Sequence, residues 1–181
     1  MSVGPRVRAA AADDAAAVAA IYAPYVIETA ITFEEEAPDA AAMRRRIESV
    51  TERFPWLVAE VDGAIRGYAY ADLFRTRAAY RWTVETSVYV AMGHERRGIG
   101  RALYMPLLDM LRDQGYVAAV GALTLPNPAS VRLHEALGFE QVGTYRQAGY
   151  KLGRWHHVGI WQCELAPRPE SPREPRAWRE I

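Results

Sequence analysis

The sequence predicts an α/β (α+β) fold in which a mixed central sheet of about seven strands carries helices on both faces. Three observations predict it. The chain has 181 residues, half of them apolar, which suits one domain with a sizeable core. Segments with strand-like alternation are interspersed with segments of helical periodicity. Their predicted order is β-α-α-β-β-β-α-β-α-β-β, and helices that connect strands in this way cover both faces of a sheet.

Capping and turn residues delimit the elements of the first half. Asp13 or Asp14 can cap an alanine-rich helix, and Pro38-Asp39 opens a second helix that continues to about Arg53. Asp62-Gly63 is a strong signal for a hairpin between two strands. The predicted strands of this half are Val7–Ala10, Trp56–Val61, Ile65–Leu73 and Trp82–Ala91.

Glycines delimit the elements of the second half. An apolar stripe predicts a helix over Ile99–Gln114, and a shorter helix over Pro128–Leu137 precedes Gly138. After residue 165 the sequence is rich in proline and charge. We therefore expect one domain over residues 1–165 and an extended or disordered tail over 166–181. The remaining predicted strands are Val117–Leu123, Phe139–Tyr145 and His157–Leu165.

Composition excludes several classes of partner. Basic and acidic residues balance at 22 each, which predicts binding to neither nucleic acid nor an anionic membrane. No secretory signal or membrane-spanning stretch is visible, and the lone Cys163 favours a reducing compartment, so we expect a cytoplasmic protein. His156 and His157 point to opposite faces if they lie on a strand, and no second ligand cluster appears, so we expect no metal site.

A strand that runs into a basic, glycine-bearing turn is the sharpest local motif. Val88–Val90 precedes the segment His94–Leu103, in which Gly98 and Gly100 allow a phosphate to approach backbone N–H groups at the start of a helix. The segment lacks the P-loop signature, and Leu103 stands where a dinucleotide fingerprint requires glycine. An ordinary tight turn is the alternative. The residues that we assign to phosphate binding are Arg96, Arg97, Gly98, Ile99, Gly100 and Arg101.

The second motif runs from Asn127 to Phe139. Helical spacing places Asn127, Ser130 and His134 near one face of a helix. A lone histidine on a helix is usually structural. Its combination with the glycine-bearing turn favours a functional role here.

Together the two motifs resemble those of the GNAT superfamily of acetyl-CoA-dependent N-acetyltransferases. The family pattern is a strand that pairs with pantetheine, a glycine-bearing turn that holds the pyrophosphate, and a later Asn-initiated helix. The resemblance implies acetyl-CoA as co-substrate, with Glu95 and His134 departing from the usual Arg/Gln and Tyr. It implies acetyl-CoA binding by the 96–101 segment together with Val88, Tyr89, Val90, Asn127 and Ser130.

His134 narrows the resemblance to the phosphinothricin N-acetyltransferases and the methionine sulfoximine/sulfone acetyltransferases, which also carry histidine there. The likeness runs from about Arg6 to Leu165. It implies an amino-acid-like acceptor and a homodimer, for which the apolar segment Trp155–Trp161 is a candidate surface. The motifs that carry it are Tyr80-x-Trp82-Thr83-x-Glu85, Leu125-Pro126-Asn127, His134–Gly138 and Gly153-x-Trp155-His156-x-Val158-Gly159.

Glu85 and His134 are the candidate catalytic residues. A carboxylate can take the proton of the acceptor amine, and Glu85 is a lone acid on a strand otherwise lined with Val, Thr and Ser. A structural ion pair with an arginine such as Arg77 is the alternative for Glu85. His134 can reprotonate the CoA thiolate or act as the base instead, and the sequence does not order the two. By the resemblance, backbone N–H groups of Val88–Val90 hold the oxyanion.

The candidate acceptor site contains two sets of residues. Arg75, Arg77 and Tyr80 precede the strand that carries Glu85, and guanidinium groups bind carboxylates or phosphinates well. By the resemblance, Thr32 and Phe33 wall the pocket. The arginines could also be solvated loop residues.

Two other functions are open. One is acetylation of a protein N-terminus or an aminoglycoside, although a basic loop suits a polycation poorly. The other is a non-catalytic acyl-CoA-binding module, against which the presence of both Glu85 and His134 argues.

Overall fold

The computed structural model describes residues 4–180, which form seven strands, four α-helices and three short 3-10 turns. The elements in chain order are β1 (Arg6–Ala9), α1 (Ala15–Glu28), α2 (Ala40–Val50), β2 (Trp56–Val61), β3 (Ala64–Leu73), β4 (Thr83–Val90), α3 (Ile99–Gln114), β5 (Ala118–Leu125), α4 (Pro128–Glu135), β6 (Glu140–Lys151) and β7 (Arg154–Glu164). This is the predicted order of strands and helices.

The seven strands form one mixed sheet in the order β1-β2-β3-β4-β5-β7-β6. All neighbours are antiparallel except β4 and β5. The parallel pairing covers only Thr83–Glu85 of β4 against Ala118–Val120 of β5. Beyond residue 85 the two strands separate. The sheet is therefore open in its middle, and this opening positions the site described below.

Helices cover both faces of the sheet, as predicted. On one face α1 and α2 pack over alternate strand residues such as Trp56, Val58 and Tyr68. On the other face α3 packs over the residues between them, such as Leu57 and Ala69. Strand side chains alternate between faces, so each strand contributes to two cores. Within residues 4–180, no helix is long and apolar enough to cross a membrane.

The last two strands are longer than predicted. The sequence indicated strands over residues 139–145 and 157–165, whereas β6 and β7 form a hairpin that turns at Leu152-Gly153. Almost every residue of β6 is exposed because it is an edge strand, so it carries no alternating apolar pattern. A bulge between Tyr145 and Gly149 also breaks its period. In the first half, α2 ends at Val50 instead of Arg53.

The tail beyond β7 has no regular element before a 3-10 turn at Trp178–Glu180, and it lies against the domain. The Nε2 amide of Gln114, at the end of α3, donates to the backbone oxygens of Arg53 and Arg176. The indole of Trp178 donates to the Thr51 carbonyl. These hydrogen bonds hold the tail against the domain. The division of the chain at residue 165 stays a prediction.

The apolar surface expected at Trp155–Trp161 is smaller than the sequence suggested. Trp155 is 58% exposed, but Trp161 is only 3% exposed because β7 turns it into the core. Five exposed apolar side chains lie instead along the whole hairpin. They are Val142, Tyr145, Tyr150, Leu152 and Trp155.

Candidate active site

A groove of about 500 Å³ lies where β4 has separated from β5. The end of β4 forms one wall and α4 forms the other, with the first turn of α3 at one end. Ten of the eleven residues predicted to bind acetyl-CoA line it, and Arg97 does not. Those ten are Val88, Tyr89, Val90, Arg96, Gly98, Ile99, Gly100, Arg101, Asn127 and Ser130.

The turn into α3 presents backbone donors to this groove. Gly98 precedes the helix with a φ of 78°, a conformation that favours glycine. The first backbone bond of α3 runs from Ala102 N to Gly98 O at 2.9 Å, so the N–H groups of residues 99–101 have no partner within the helix. The buried Nδ1 of His94, also at the groove, has no hydrogen-bond partner among residues 4–180. Unpaired donors at a helix N-terminus fit the phosphates of CoA.

The groove depends on a close approach of α3 to α4. A Cβ atom on Gly100 would lie 2.9 Å from Cδ2 of Leu133 on α4, which is too near for normal contact. At the start of α4, the Asn127 side chain accepts a hydrogen bond from Ser130 N at 3.1 Å and caps the helix. Asn127 therefore orders the wall of the groove as well as lining it.

A second, smaller cavity continues from the groove into the opening between β4 and β5. Residues of both faces of the sheet line it, including Thr86, Ser87, Tyr104 and His134. Ile31, from the α1–α2 connection, lines this cavity and the groove alike. The smaller cavity therefore joins the two faces of the sheet.

His134 lies inside a hydrogen-bonded network on the α3 face. Its Nδ1 is 2.8 Å from the backbone oxygen of Ser130, so Nδ1 carries the proton and Nε2 is an acceptor. The Tyr104 hydroxyl lies 3.1 Å from that Nε2. Tyr104 is fully buried and His134 is 3% exposed. Burial lowers the pKa of His134 and raises that of Tyr104, so both side chains are neutral at pH 7.

Glu85 lies on the other face of β4. Its register partner on β3 is Asp72 and its partner on β5 is Val120. Burial raises the pKa of the Glu85 carboxyl, and the negative charge of Asp72 adds to the increase, while the cation of Arg75 opposes it. Arg75 Nη1 is 3.9 Å from Glu85 Oε2, which is an ion pair without a hydrogen bond. The arginine beside Glu85 is thus Arg75, whereas the sequence suggested Arg77.

The two candidate catalytic residues lie on opposite faces of the sheet. His134 lines the smaller cavity, whereas Glu85 is the last residue of β4 paired with β5 and lines neither cavity. The Thr86 side chain lies 3.3 Å from the Tyr104 hydroxyl on the α3 face. Alternation along β4 therefore directs its neighbour Glu85 to the α1–α2 face. Tyr89 lies four residues after Glu85 on β4 and therefore on the same face. It packs against Tyr22 and Tyr25 of α1, which agrees with this direction.

The five predicted acceptor residues fall into two places. Arg75 lies beside Glu85, while Arg77 and Tyr80 are exposed on the same β3–β4 connection. Thr32 and Phe33 lie instead against the β6–β7 hairpin, where Phe33 contacts Gly149. None of these five residues lines either cavity described above.

Sequence reasoning missed Tyr104 and Thr86. Tyr104 sits within the apolar stripe of α3, and Thr86 follows the alternation of β4, so both fit an ordinary core. Their link to His134 depends on contacts between residues 18 and 30 positions apart, which no local pattern encodes. Among residues 4–180, no group of His, Cys, Asp or Glu side chains is arranged to hold a metal ion.

Comparison with known proteins agrees with this geometry. Residues 7–160 match the family described as "Acetyltransferase (GNAT) domain". Phosphinothricin N-acetyltransferase of Streptomyces viridochromogenes is 45% identical over 93% of each chain. L-methionine sulfoximine/L-methionine sulfone acetyltransferase of Salmonella typhimurium is 35% identical over 84% of this chain and 90% of its own. The phosphinothricin acetyltransferase structure from Sinorhizobium meliloti, in complex with acetyl-CoA, has a TM-score of 0.89 at 33% identity, covering 98% of this chain and 100% of its own.

The fold and the groove define a transferase that uses acetyl-CoA as its co-substrate. The chain belongs to the GNAT acetyltransferase family. It is an N-acetyltransferase that resembles the phosphinothricin and methionine sulfoximine branch in sequence and in fold, as the sequence analysis predicted.

Proposed function

We propose that this enzyme acetylates the α-amino group of a small, anionic amino-acid analogue such as phosphinothricin, methionine sulfoximine or methionine sulfone. The observation that carries the proposal is the placement of Glu85 and His134 on opposite faces of the sheet, beside the point where β4 and β5 separate. Bound acetyl-CoA supplies an acetyl thioester, and the amine attacks it directly. The names of the relatives support this choice of acceptor.

Glu85 is the general base in this proposal. An α-amino group has a pKa of about 8 and is largely protonated at pH 7. A carboxyl whose pKa is raised by burial is better matched to that proton than an ordinary exposed glutamate is. Its position on the α1–α2 face, beside Arg75, supports contact with the acceptor side of the opening.

In this proposal His134 and Tyr104 act on the leaving group, which is the sulfur of CoA. The phenol keeps its proton because burial raises its pKa, and the imidazole Nε2 is an acceptor 3.1 Å away. The Tyr104 hydroxyl can therefore give its proton to the departing sulfur. The phenolate then regains a proton from solvent through His134 Nε2, and Glu85 releases to solvent the proton that it took from the amine. Their place on the face opposite Glu85 supports assigning them to the leaving group and Glu85 to the amine.

The open side of β4 can stabilise negative charge on the acetyl oxygen. From residue 86 onward, backbone N–H groups that point toward β5 have no strand partner, since the pairing ends at Glu85. Preorganised N–H donors at such a position are a strong source of transition-state stabilisation. We place this role in Val88–Val90, which also line the groove.

The β3–β4 connection would recognise the acceptor's acid groups. Arg75 and Arg77 are cationic, and Arg75 already lies beside Glu85. Tyr80 packs edge-on against Phe74, whose ring in turn lies under the Arg75 guanidinium. These contacts support an ordered connection, with two guanidinium groups that can bind carboxylate or phosphinate.

The decisive experiment compares acetyl-CoA turnover among matched acceptors. The panel contains the three amino-acid analogues, their methyl esters and the corresponding decarboxylated amines, with an aminoglycoside and an N-terminal peptide as alternative acceptors. We expect the free amino acids to have the highest kcat/KM by about 10–150-fold, the worth of one or two charge-assisted bonds. Equal turnover of the decarboxylated amines would show that the enzyme does not bind the acceptor's acid groups. Preference for the peptide or the aminoglycoside would show that the acceptor belongs to that class instead.

We further propose that the enzyme is a homodimer whose interface includes the exposed apolar side chains of the β6–β7 hairpin. Val142, Tyr150 and Trp155 are each more than half exposed on this edge of the sheet. Such a cluster is unusual on a surface that contacts only water. Light scattering should give twice the chain mass of 20.3 kDa, and Trp155→Glu with Tyr150→Glu should halve it. A monomer at micromolar concentration would contradict this proposal.

A further inference from the structure

The connection between α1 and α2, residues 29–39, lies across the β6–β7 hairpin and touches it at two points. The ring of Phe33 lies over Gly149, and the backbone oxygen of Thr32 accepts a hydrogen bond from Lys151 Nζ at 2.8 Å. Gly149 and Lys151 are two residues apart on β6, so their side-chain positions share one face. Neither residue has a role in the site described so far.

Gly149 makes room for Phe33. A Cβ atom at this position would overlap three atoms of the Phe33 ring. The backbone of Gly149 is not in the left-handed region, so the conformation of the strand does not require glycine. Gly143 on the same strand is different, because a Cβ atom there would meet open space. The absence of a side chain at 149 is therefore tied to the position of Phe33.

Lys151 is a buried cation that holds the connection. It is only 6% exposed, and burying an ammonium group is costly unless the group is paired. Burial lowers its pKa, while Glu34 and Glu35 favour the charged form. Its own backbone oxygen accepts a hydrogen bond from the buried His156 Nε2 at 3.0 Å. Lys151 is thus fixed at its backbone and at its ammonium.

The connection is also fixed on its other side. The Tyr22 hydroxyl lies 2.7 Å from Thr32 Oγ1, and Arg46 makes two hydrogen bonds of 2.8 Å to Glu34. Ile31, one residue before Thr32, lines both cavities of the active site. Any displacement of residues 32–33 would therefore be transmitted to a residue that lines the opening between β4 and β5.

We propose that Gly149 and Lys151 are positioning residues that fix Ile31, Thr32 and Phe33 as a wall of the acceptor pocket, and so determine which acceptor side chains are accepted. The inference rests on the proposed function and on the resemblance, by which Thr32 and Phe33 wall the acceptor pocket. It goes beyond that function by assigning the selectivity to two residues of β6 that act through their contacts with Phe33 and Thr32.

The test is a set of glycine-to-alanine variants with a matched control. Gly149→Ala should raise the KM for the preferred acceptor at least about tenfold, since displacements near 1 Å have effects of this size. The KM for acetyl-CoA should stay within about twofold. Gly143→Ala, the same substitution on the same strand, should match the parental enzyme in both constants because nothing lies near its Cβ.

Removing Phe33 should abolish the effect of Gly149→Ala. In a Phe33→Ala background the added methyl group has no ring to displace, so the two variants should not be additive in acceptor KM or in Tm. Lys151→Met should raise the acceptor KM as well. Lys151→Arg keeps a hydrogen-bond donor and should therefore raise the acceptor KM less. The ratio of kcat/KM between acceptors with small and large side chains should change in Gly149→Ala and in Lys151→Met, and not in Gly143→Ala.

Two results would overturn the inference. One is a parental acceptor KM in both Gly149→Ala and Lys151→Met. The other is an equal increase in the acceptor KM when Gly149→Ala is made in the parental enzyme and in the Phe33→Ala variant. Absence of turnover by the parental enzyme with every amino acid would instead reject the proposed function and this inference with it. The coupling in Tm between Gly149→Ala and Phe33→Ala would still show the contact itself, so the two failures can be told apart.

Discussion

Burial changes the proton affinity of Glu85 and of His134 in opposite directions. It raises the pKa of the carboxyl and lowers that of the imidazole, because a medium of low polarity disfavours the charged form of each group. A glutamate that binds protons more readily suits a general base. A histidine that stays neutral suits transfer of a proton to and from the Tyr104 hydroxyl.

Removing either group should reduce the chemical step. We expect Glu85→Gln and His134→Ala each to lower kcat by about 10²–10⁴-fold, the usual contribution of a positioned acid or base. The two losses should respond differently to pH. Near pH 9.5 the acceptor amine is already neutral, so the defect of Glu85→Gln should shrink while that of His134→Ala persists. Stopped-flow or steady-state kinetics from pH 6 to 9.5 would show this, and parental kcat in both variants would refute the roles.

The charges beside Glu85 should shift the acidic limb of the pH profile in opposite directions. Asp72 raises the pKa of Glu85, so Asp72→Asn should move the limb of kcat toward lower pH. Arg75 lowers that pKa, so Arg75→Ala should move the limb toward higher pH. Measurements at saturating acceptor separate these shifts from any loss of binding. A shift of the same sign in both variants would mean that the limb belongs to another group.

The sequence motifs predicted which residues cluster at the cavities better than they predicted distant contacts. His134 lines the smaller cavity and ten of the eleven residues assigned to acetyl-CoA line the groove, whereas Glu85 lines neither, and the roles of all of them stay predictions. Tyr104 and Lys151 were not predictable. Each one matters through a contact with a distant segment, at Nε2 of His134 and at the oxygen of Thr32, and a single sequence does not show which segments meet.

At the scale of elements, the approach of α3 to its neighbours builds the groove. Cβ atoms on Gly67 and Gly100 would lie 2.8 Å from Ile99 Cγ2 and 2.9 Å from Leu133 Cδ2. These two glycines thus let the first turn of α3 pack close to β3 and α4. The glycine pattern of the sequence indicated a turn for phosphate, and the structure adds that Gly100 also sets the distance between the two helices.

The two arginines at this turn should differ in their effect on acetyl-CoA. Arg101 lines the groove and Arg97 does not. Arg101→Ala should therefore weaken the Kd for acetyl-CoA by roughly 5–12-fold, equivalent to about 1–1.5 kcal/mol for one charge-assisted contact. Arg97→Ala is the matched control and should stay within about twofold. Titration calorimetry gives both values, and an equal loss in the two variants would indicate a diffuse field instead of a specific contact.

Element order was predictable because most elements carry a buried face. Strands β2 and β5 carry continuous buried runs, the start of β4 alternates, and helices α2 and α3 bury one side. The hairpin of β6 and β7 was predicted too short because an exposed edge strand with a bulge shows neither pattern. Its turn at Leu152-Gly153 has two positive φ values, for which only the glycine was a sequence signal.

At the scale of the whole molecule, the tail joins parts of the chain that are distant in sequence. Arg81 Nε donates to Glu174 Oε1 at 2.6 Å, and the Trp82 indole donates to the backbone oxygen of Arg173 at 2.8 Å. These contacts lie at the end of the β3–β4 connection, which carries Arg75 and Arg77. The tail therefore supports the β3–β4 connection, which carries the arginines proposed to bind the acceptor. It also contacts the segment that follows α2 and the end of α3.

Loss of the tail's anchor should lower stability measurably. Trp178→Phe removes the indole donor to Thr51 and should lower the free energy of unfolding by about 0.5–1.5 kcal/mol. In a chain of this size that corresponds to roughly 1–6 °C in Tm. Glu170→Ala, at an exposed tail position without a hydrogen bond or ion pair among residues 4–180, is the control. Calorimetry that finds the same Tm for all three proteins would show that the anchor is not stabilising.

Because the parallel pairing between β4 and β5 is short, the exchange rate of the β4 amides should report whether acetyl-CoA is bound. Amides of residues 86–90 that point toward β5 lack a strand partner, and the amides of β3 facing β4 do not. Without acetyl-CoA these β4 amides should exchange with deuterium rapidly, although they lie in the middle of a sheet. When pantetheine lies along β4 they should become protected, while the amides of β1 to β3 change little. Hydrogen–deuterium exchange by NMR would then report binding residue by residue, without any turnover.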